Sequence, residues 1–304
     1  MNAVRAQRCP ETSVPTSATG IVCAVLSVLL FSCFTLVSRR GLTSSLKPPD
    51  IAALRFGVGG LVLLPAFLRH GVAGIRARDV MLLALFGGVG FASLAYAGFA
   101  MAPAAHGAVL LHGTLPLFTW LVLNPAERVA DRGRFLGLAF VAMGIVFMAL
   151  DSVRGATPRQ LTGDGLLLLA SLFWASYGVL VRRLQLEAAQ GSAVVAVFSA
   201  VCYLPVYALL PHDSLFQTNL RELILQAAFQ GALIGAVSIF IYTRAVSALG
   251  AANTSLFTAA VPGLTILAAV PLLAEHPSLL ATIGAGIVTI GMLIAAAAQR
   301  RPVA

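Results

Sequence analysis

The sequence predicts an all-α integral membrane protein of ten transmembrane helices, arranged as two inverted five-helix repeats. Of its 304 residues 59% are hydrophobic and 10% charged, with a mean hydropathy of +0.93, far from the balance of water-soluble domains. Ten apolar stretches of roughly bilayer-spanning length follow one another. The second half of the chain also restates the first. Tyr96 and Pro116 recur at one constant offset as Tyr242 and Pro262, and Thr119 recurs as Thr265. The pair Arg39 and Arg40 recurs as Arg182 and Arg183, Glu127 as Glu275, and Gly137 and Gly144 as Gly284 and Gly291. Landmarks kept in this order indicate a duplication.

The stretches cover residues 20–38, 51–68, 80–100, 104–123, 135–150, 165–181, 192–210, 223–243, 251–274 and 279–298, the fifth and sixth being short. Backbone groups find no water in hydrocarbon, so continuous helices are the reading that satisfies them, and no period-two alternation suggests a barrel. The first stretch follows Arg5 and Arg8 and ends in Ser38-Arg39-Arg40 without a small-residue cleavage pattern, which reads as a retained helix rather than a signal peptide. Residues 1–19, rich in Pro, Thr and Ser, read as a disordered tail. The first repeat then spans 20–150, an external linker 151–164, the second repeat 165–298 and a C-terminal tail 299–304.

Charge sets the orientation. The side holding both termini carries 13 Lys and Arg residues against six on the other, with Arg55 left out because it falls inside a helix. Both termini are therefore predicted to be cytoplasmic, in a multi-pass protein of the cell (inner) membrane. The net charge of +9 is explained by topology and lipid headgroups and calls for no nucleic-acid partner. Five helices per repeat force the second copy to enter from the opposite face. Inverted repeats of this kind build the two access states of many secondary transporters, with the substrate held near the midplane.

At this point the residues resemble a known family. The ten-stretch count, Phe31-Ser32-Cys33-Phe34 with its counterpart Trp174-Ala175-Ser176-Tyr177, Arg55 opening the second helix, the two Tyr-to-Pro segments and a glutamate before each last helix are similar to the drug/metabolite transporter superfamily with paired EamA-type domains. The resemblance covers nearly the whole chain and implies small-metabolite or drug export. It departs where Phe31 replaces the usual tryptophan and where the second repeat lacks a counterpart to Arg55.

Independently of the resemblance, the fourth and ninth stretches carry a polar face. Thr254, Thr258, Pro262 and Thr265 share one side of a helix, and Ala108, His112, Pro116 and Thr119 share the matching side. A helix proline removes the hydrogen bond to the carbonyl four residues earlier, which frees the acceptors of His112 and Thr258. These residues are candidate cavity liners, against the plainer alternative of hydroxyls bonding their own backbone beside kinks. Trp174 and Tyr177 form an aromatic face that either stacks on substrate or packs on neighbours. Tyr96 and Tyr242 fit symmetric roles in the cavity or as interhelical locks.

Arg55, with Asp50 before it, reads as a gating or structural ion pair, the arginine snorkelling to the external interface. Arg244 reads as a cytoplasmic interfacial charge. A carboxylate-bearing substrate would be the natural partner of either arginine if it reached the cavity. All eleven acidic residues fall outside the apolar stretches, so embedded-carboxylate exchange of protons for cationic drugs is disfavoured, and proton coupling would have to use His112. The four cysteines have no metal-ligand spacing, and no metal, cofactor, nucleophile-base pair or HExxH motif points to an enzyme. The function read from the sequence is a secondary transporter exporting neutral or zwitterionic metabolites, amino acids foremost, acting as monomer or homodimer. A nucleotide-sugar or phosphate-ester carrier and a non-transporting scaffold are the alternatives, the former weakened because the single lysine, Lys47, falls in a loop.

Overall fold

The computed structural model describes residues 18–44, 46–72, 74–125, 132–155, 157–211, 213–258 and 260–298, so Glu127 and both tails beyond 18 and 298 lie outside the described residues. Regular structure among the described residues is helical throughout. The first half supplies α1 (Ala18–Ser44), α2 (Pro48–His70), α3 (Ala77–Met101), α4 (Ala104–Val122) and α5 (Arg132–Gly155). The second supplies α6 (Pro158–Arg183), α7 (Ala188–Ala208), α8 (Leu220–Leu249), α9 (Ala251–Phe257 continued by Ala260–Leu273) and α10 (Leu279–Ala298), with a short helix Asp213–Gln217 before α8. Eight of the spans are long and apolar enough to cross a bilayer, while Phe135–Phe147 in α5 and Leu279–Ala295 in α10 are shorter apolar segments.

Helix ends follow local chemistry. Pro48 and Pro49 sit in the first turn of α2, where a missing N–H costs nothing, and Asp50 accepts the Lys47 N–H at 2.9 Å. Thr157 caps α6 through the Gln160 N–H at 3.3 Å, with Pro158 in the first turn. Gly250 takes φ +84° between α8 and α9, a conformation that favours glycine.

Two expectations change here. The interval 151–164 is mostly helix, because α5 runs to Gly155 and α6 starts at Pro158. The sixth span is correspondingly not short, at 26 residues. Apolar runs measure burial in hydrocarbon, whereas the capped polar turn Pro158–Asp164 is helical without being apolar.

The main apolar core draws on α1 to α4 and α6 to α9. A second cluster, Val109, Val141, Ala281, Ala285, Val288 and Met292, joins α5 and α10 beside α4. These two helices run antiparallel at backbone contact. A Cβ on Gly137 would lie 2.4 Å from the Gly291 carbonyl oxygen, and one on Gly144 would lie 2.7 Å from that of Gly284. Small residues permit such approach where no hydrophobic effect drives helices together. The Gly231 and Gly235 pair acts likewise, since a Cβ on Gly59 of α2 would lie 3.1 Å from the Gly231 carbonyl oxygen. Leu61, Leu68, Leu209 and Leu267 point outward, an apolar surface suited to lipid.

Candidate substrate site

The centre of the bundle is an aromatic cluster assembled from both halves. Phe31 of α1 stacks on the His112 imidazole at 5.0 Å and meets Trp174 at 5.9 Å and Tyr242 at 5.6 Å. Trp174 of α6 lies 4.9 Å from Tyr242, 5.0 Å from Tyr177 and 4.6 Å from Phe91. Phe34 extends the cluster to Tyr96 at 5.8 Å. His112, Trp174, Tyr177, Tyr242 and Tyr96, predicted from sequence as cavity residues, are thus buried together.

Their polar atoms divide into two kinds. Tyr177 shares a 2.6 Å hydrogen bond with Thr243, and Tyr96 donates to Gln230 Oε1 at 3.0 Å, the interhelical lock anticipated for a buried tyrosine. His112 Nε2, Trp174 Nε1, Thr265 Oγ1, and Nε and Nη1 of Arg55 are buried with no protein hydrogen-bond partner. A buried unsatisfied group costs about 1–3 kcal/mol, and three of these side chains, His112, Trp174 and Arg55, lie against the rings of the aromatic cluster, whereas Ser199 Oγ is a further unpartnered atom.

Both carbonyls that the prolines leave are taken by protein donors. The helix adopts a π-helical turn at Ala108–Gly113, and Pro116 lies in the next segment, Leu115–Val122. The His112 carbonyl that Pro116 leaves free accepts the Thr258 hydroxyl at 3.1 Å. In α9 the Thr258 carbonyl, left by Pro262, is taken by the Val261 N–H at 3.0 Å. Thr258 also donates to Ser255 O, and Thr254 bonds its own helix at Gly250 O, the plainer outcome. Thr119 and Thr265 are buried.

The Asp50–Arg55 pair does not form. Asp50 is engaged by Tyr207 at 2.8 Å, Ser214 at 2.6 Å and the Lys47 N–H. Arg55, at 2% exposure, instead lies 5.4 Å from the Phe34 ring centre and 5.6 Å from that of Phe91, close to the Tyr96 phenol. The Tyr207 and Ser214 hydroxyls and the Lys47 N–H supply the hydrogen bonds of Asp50 without an ion pair. Arg244 is exposed.

A family-model match covers residues 18–150 and again 161–297, described as the EamA-like transporter family. The chain belongs to the EamA-like transporter family. It is a multi-pass membrane protein of the transporter class rather than of an enzyme class. The chain is 24% identical over 267 residues to "Uncharacterized transporter YyaM" of Bacillus subtilis (strain 168), covering 84% of this chain and 87% of that one. A solved crystal structure, described only as that of a protein, superposes with TM-score 0.65 at 21% identity over 94% of this chain and 98% of the other.

Three contacts in this EamA-like chain were not foreseen. His106 Nδ1 lies 3.0 and 3.1 Å from the two oxygens of Asp164, both residues buried, so a carboxylate does sit inside α6. It stands in the first turns of that helix, just ahead of the apolar stretch at 165–181. Arg39 Nε donates to Glu275 at 2.7 Å, and the other Glu275 oxygen accepts the Ala104 N–H at 2.8 Å, tying α1, the α9–α10 connection and the start of α4. Gln230 donates to Ser38 at 3.0 Å and to Gln226, which donates to Glu222 at 2.9 Å. Four-residue spacing of Glu222, Gln226 and Gln230 was a readable signal of that polar ladder.

Two cavities flank the cluster. One of about 250 Å³ is lined by His106, Gln160, Glu275 and His276. Another of about 540 Å³ is lined by Arg182, Arg183, Gln185, Asn253 and Leu123. Among the described residues no three His, Cys, Asp or Glu side chains converge on a common point suited to a metal.

Proposed function

We propose that the chain is a secondary transporter that exports small neutral or zwitterionic metabolites, amino acids foremost, by alternating access between two inverted five-helix repeats of a ten-span protein with both termini cytoplasmic. The observation that carries this reading is the contact between Thr258 and His112, whose positions correspond in the duplication. Equivalent residues meet in this way at a two-fold axis. The glycines of α5 and α10 support it, since Gly137 faces Gly291 and Gly144 faces Gly284, each contact mapping onto the other when the copies are exchanged. An axis in the membrane plane relates two states of comparable energy.

The two sides of the bundle differ in a manner that suits one of those states. Arg39 and Glu275 are joined on one side, while Arg182, the repeat counterpart of Arg39, lines the larger cavity on the other and donates to Ser247 O at 3.1 Å.

The test is flux of radiolabelled metabolite pools in proteoliposomes. Wild type should move a subset of neutral or zwitterionic solutes, and His112→Ala and Pro262→Ala should lose most flux while remaining monodisperse and helical. A well-folded protein that moves no solute of any class would overturn transport in favour of a scaffold.

A further inference from the structure

Arg55 is a charge without a counter-ion in the middle of the candidate site. A guanidinium stays protonated whatever surrounds it. Here Nε and Nη1 have no protein hydrogen-bond partner, and the Phe34 and Phe91 faces at 5.4 and 5.6 Å attract the charge without neutralising it. Three carboxylates are engaged elsewhere, Asp50 by Tyr207 and Ser214, Glu275 by Arg39 and Asp164 by His106. Among the described residues no ion pair reaches Arg55.

A lone buried charge is strongly destabilising, and structures keep one where a ligand supplies the opposite charge. We propose that Arg55 anchors a substrate carboxylate and that the chain carries monocarboxylates with an apolar body, zwitterionic amino acids among them. Nε and Nη1 each keep an N–H that can give a carboxylate oxygen a charge-assisted hydrogen bond. Phe34 lies against both Arg55 and the His112 ring, the latter at 6.4 Å, so the body of the molecule extends from Arg55 across aromatic faces toward Trp174. With one arginine and no second cation in the cluster, a dicarboxylate or phosphate ester would leave a negative charge unpaired. The inference names the substrate class of the site proposed above and rests on that reading.

The experiment uses the purified full chain. Leucine, isocaproate and benzoate are compared with leucinamide and benzamide, which keep the bodies but lack the carboxylate, by thermal stabilisation in detergent and by counterflow in proteoliposomes. The acids should stabilise and exchange, and the amides should not. In Arg55→Met the acids should bind about ten- to a hundredfold more weakly, the range lost with a charge-assisted hydrogen bond. Arg55→Lys should keep part of the response. The ligand-free Arg55→Met protein should also melt higher than wild type, because an uncompensated charge has been removed, whereas a structural arginine would give a lower melting temperature.

Amides that match the acids, an unchanged acid response in Arg55→Met, or a fall in its melting temperature would each overturn the proposal. If neutral solutes exchange while all three acids are inert, the carboxylate anchor fails and transport stands. If nothing exchanges, both fail.

Discussion

His106 and Asp164 illustrate how much a single buried pair fixes. The imidazole faces both carboxylate oxygens at about 3 Å across the start of α4 and the first turns of α6. Removing one partner costs the other a buried hydrogen bond. Asp164→Ala should lower stability by about 1–3 kcal/mol, and Asp164→Asn, which keeps an acceptor, should recover part of the loss, both read from detergent melting curves. Equal losses for Ala and Asn would mean that the interaction depends on charge rather than on the hydrogen bond. The pair was invisible to sequence reading because its members lie 58 positions apart and Asp164 was placed in a linker. His112 was legible, since an imidazole inside an apolar run has to face protein, and Phe31, its stacking partner, was noticed as the substitution of a usual tryptophan.

At the scale of elements, α5 and α10 offer the sharpest contrast between two kinds of glycine. A side chain on Gly291 would meet the Gly137 carbonyl oxygen at 2.6 Å, whereas one on Gly286 of the same helix would meet nothing within 4 Å. Gly291→Leu should therefore destabilise by roughly 1–3 kcal/mol or more through overpacking. Gly286→Ala should be neutral or stabilise by up to about 1 kcal/mol through helix propensity. Similar losses at both positions, measured by the fraction of monodisperse protein after heating, would contradict the close-contact account. The repeat spacing of these glycines was plain in the sequence, but not which copy each would touch. Interhelical partners are set by the sum of the packing, and a GxxxG pattern only says that a close approach is available. The same holds for α6, whose polar first turns escaped an apolarity window although Thr157 and Pro158 gave an ordinary helix start.

For the whole molecule, the asymmetry between the two sides is the feature that transport would reverse. In a cysteine-free background, Asn253→Cys on the larger cavity should react readily with a small hydrophilic thiol reagent, and Ser278→Cys on the smaller one more slowly. Glu275→Ala releases both Arg39 and the Ala104 N–H, so it should raise the Ser278→Cys rate and lower that of Asn253→Cys. A change of tenfold in their ratio corresponds to about 1.4 kcal/mol of population shift. Rates that do not move in opposite directions would argue that the pair is a static brace. Composition, hydropathy and the repeated landmarks made the helical membrane architecture readable in advance. The Arg39–Glu275 tie was not, for its members stand 236 positions apart and each served only as a landmark of the duplication.

The touching of His112 and Thr258 has a last consequence for how the two copies evolve. Away from an axis, corresponding residues see different neighbours and are free to drift apart. Here one copy supplies the donor and the other only its backbone. The Thr258 hydroxyl bonds the His112 backbone carbonyl, so the contact outlives any change of side chain at 112 and is lost with the hydroxyl at 258.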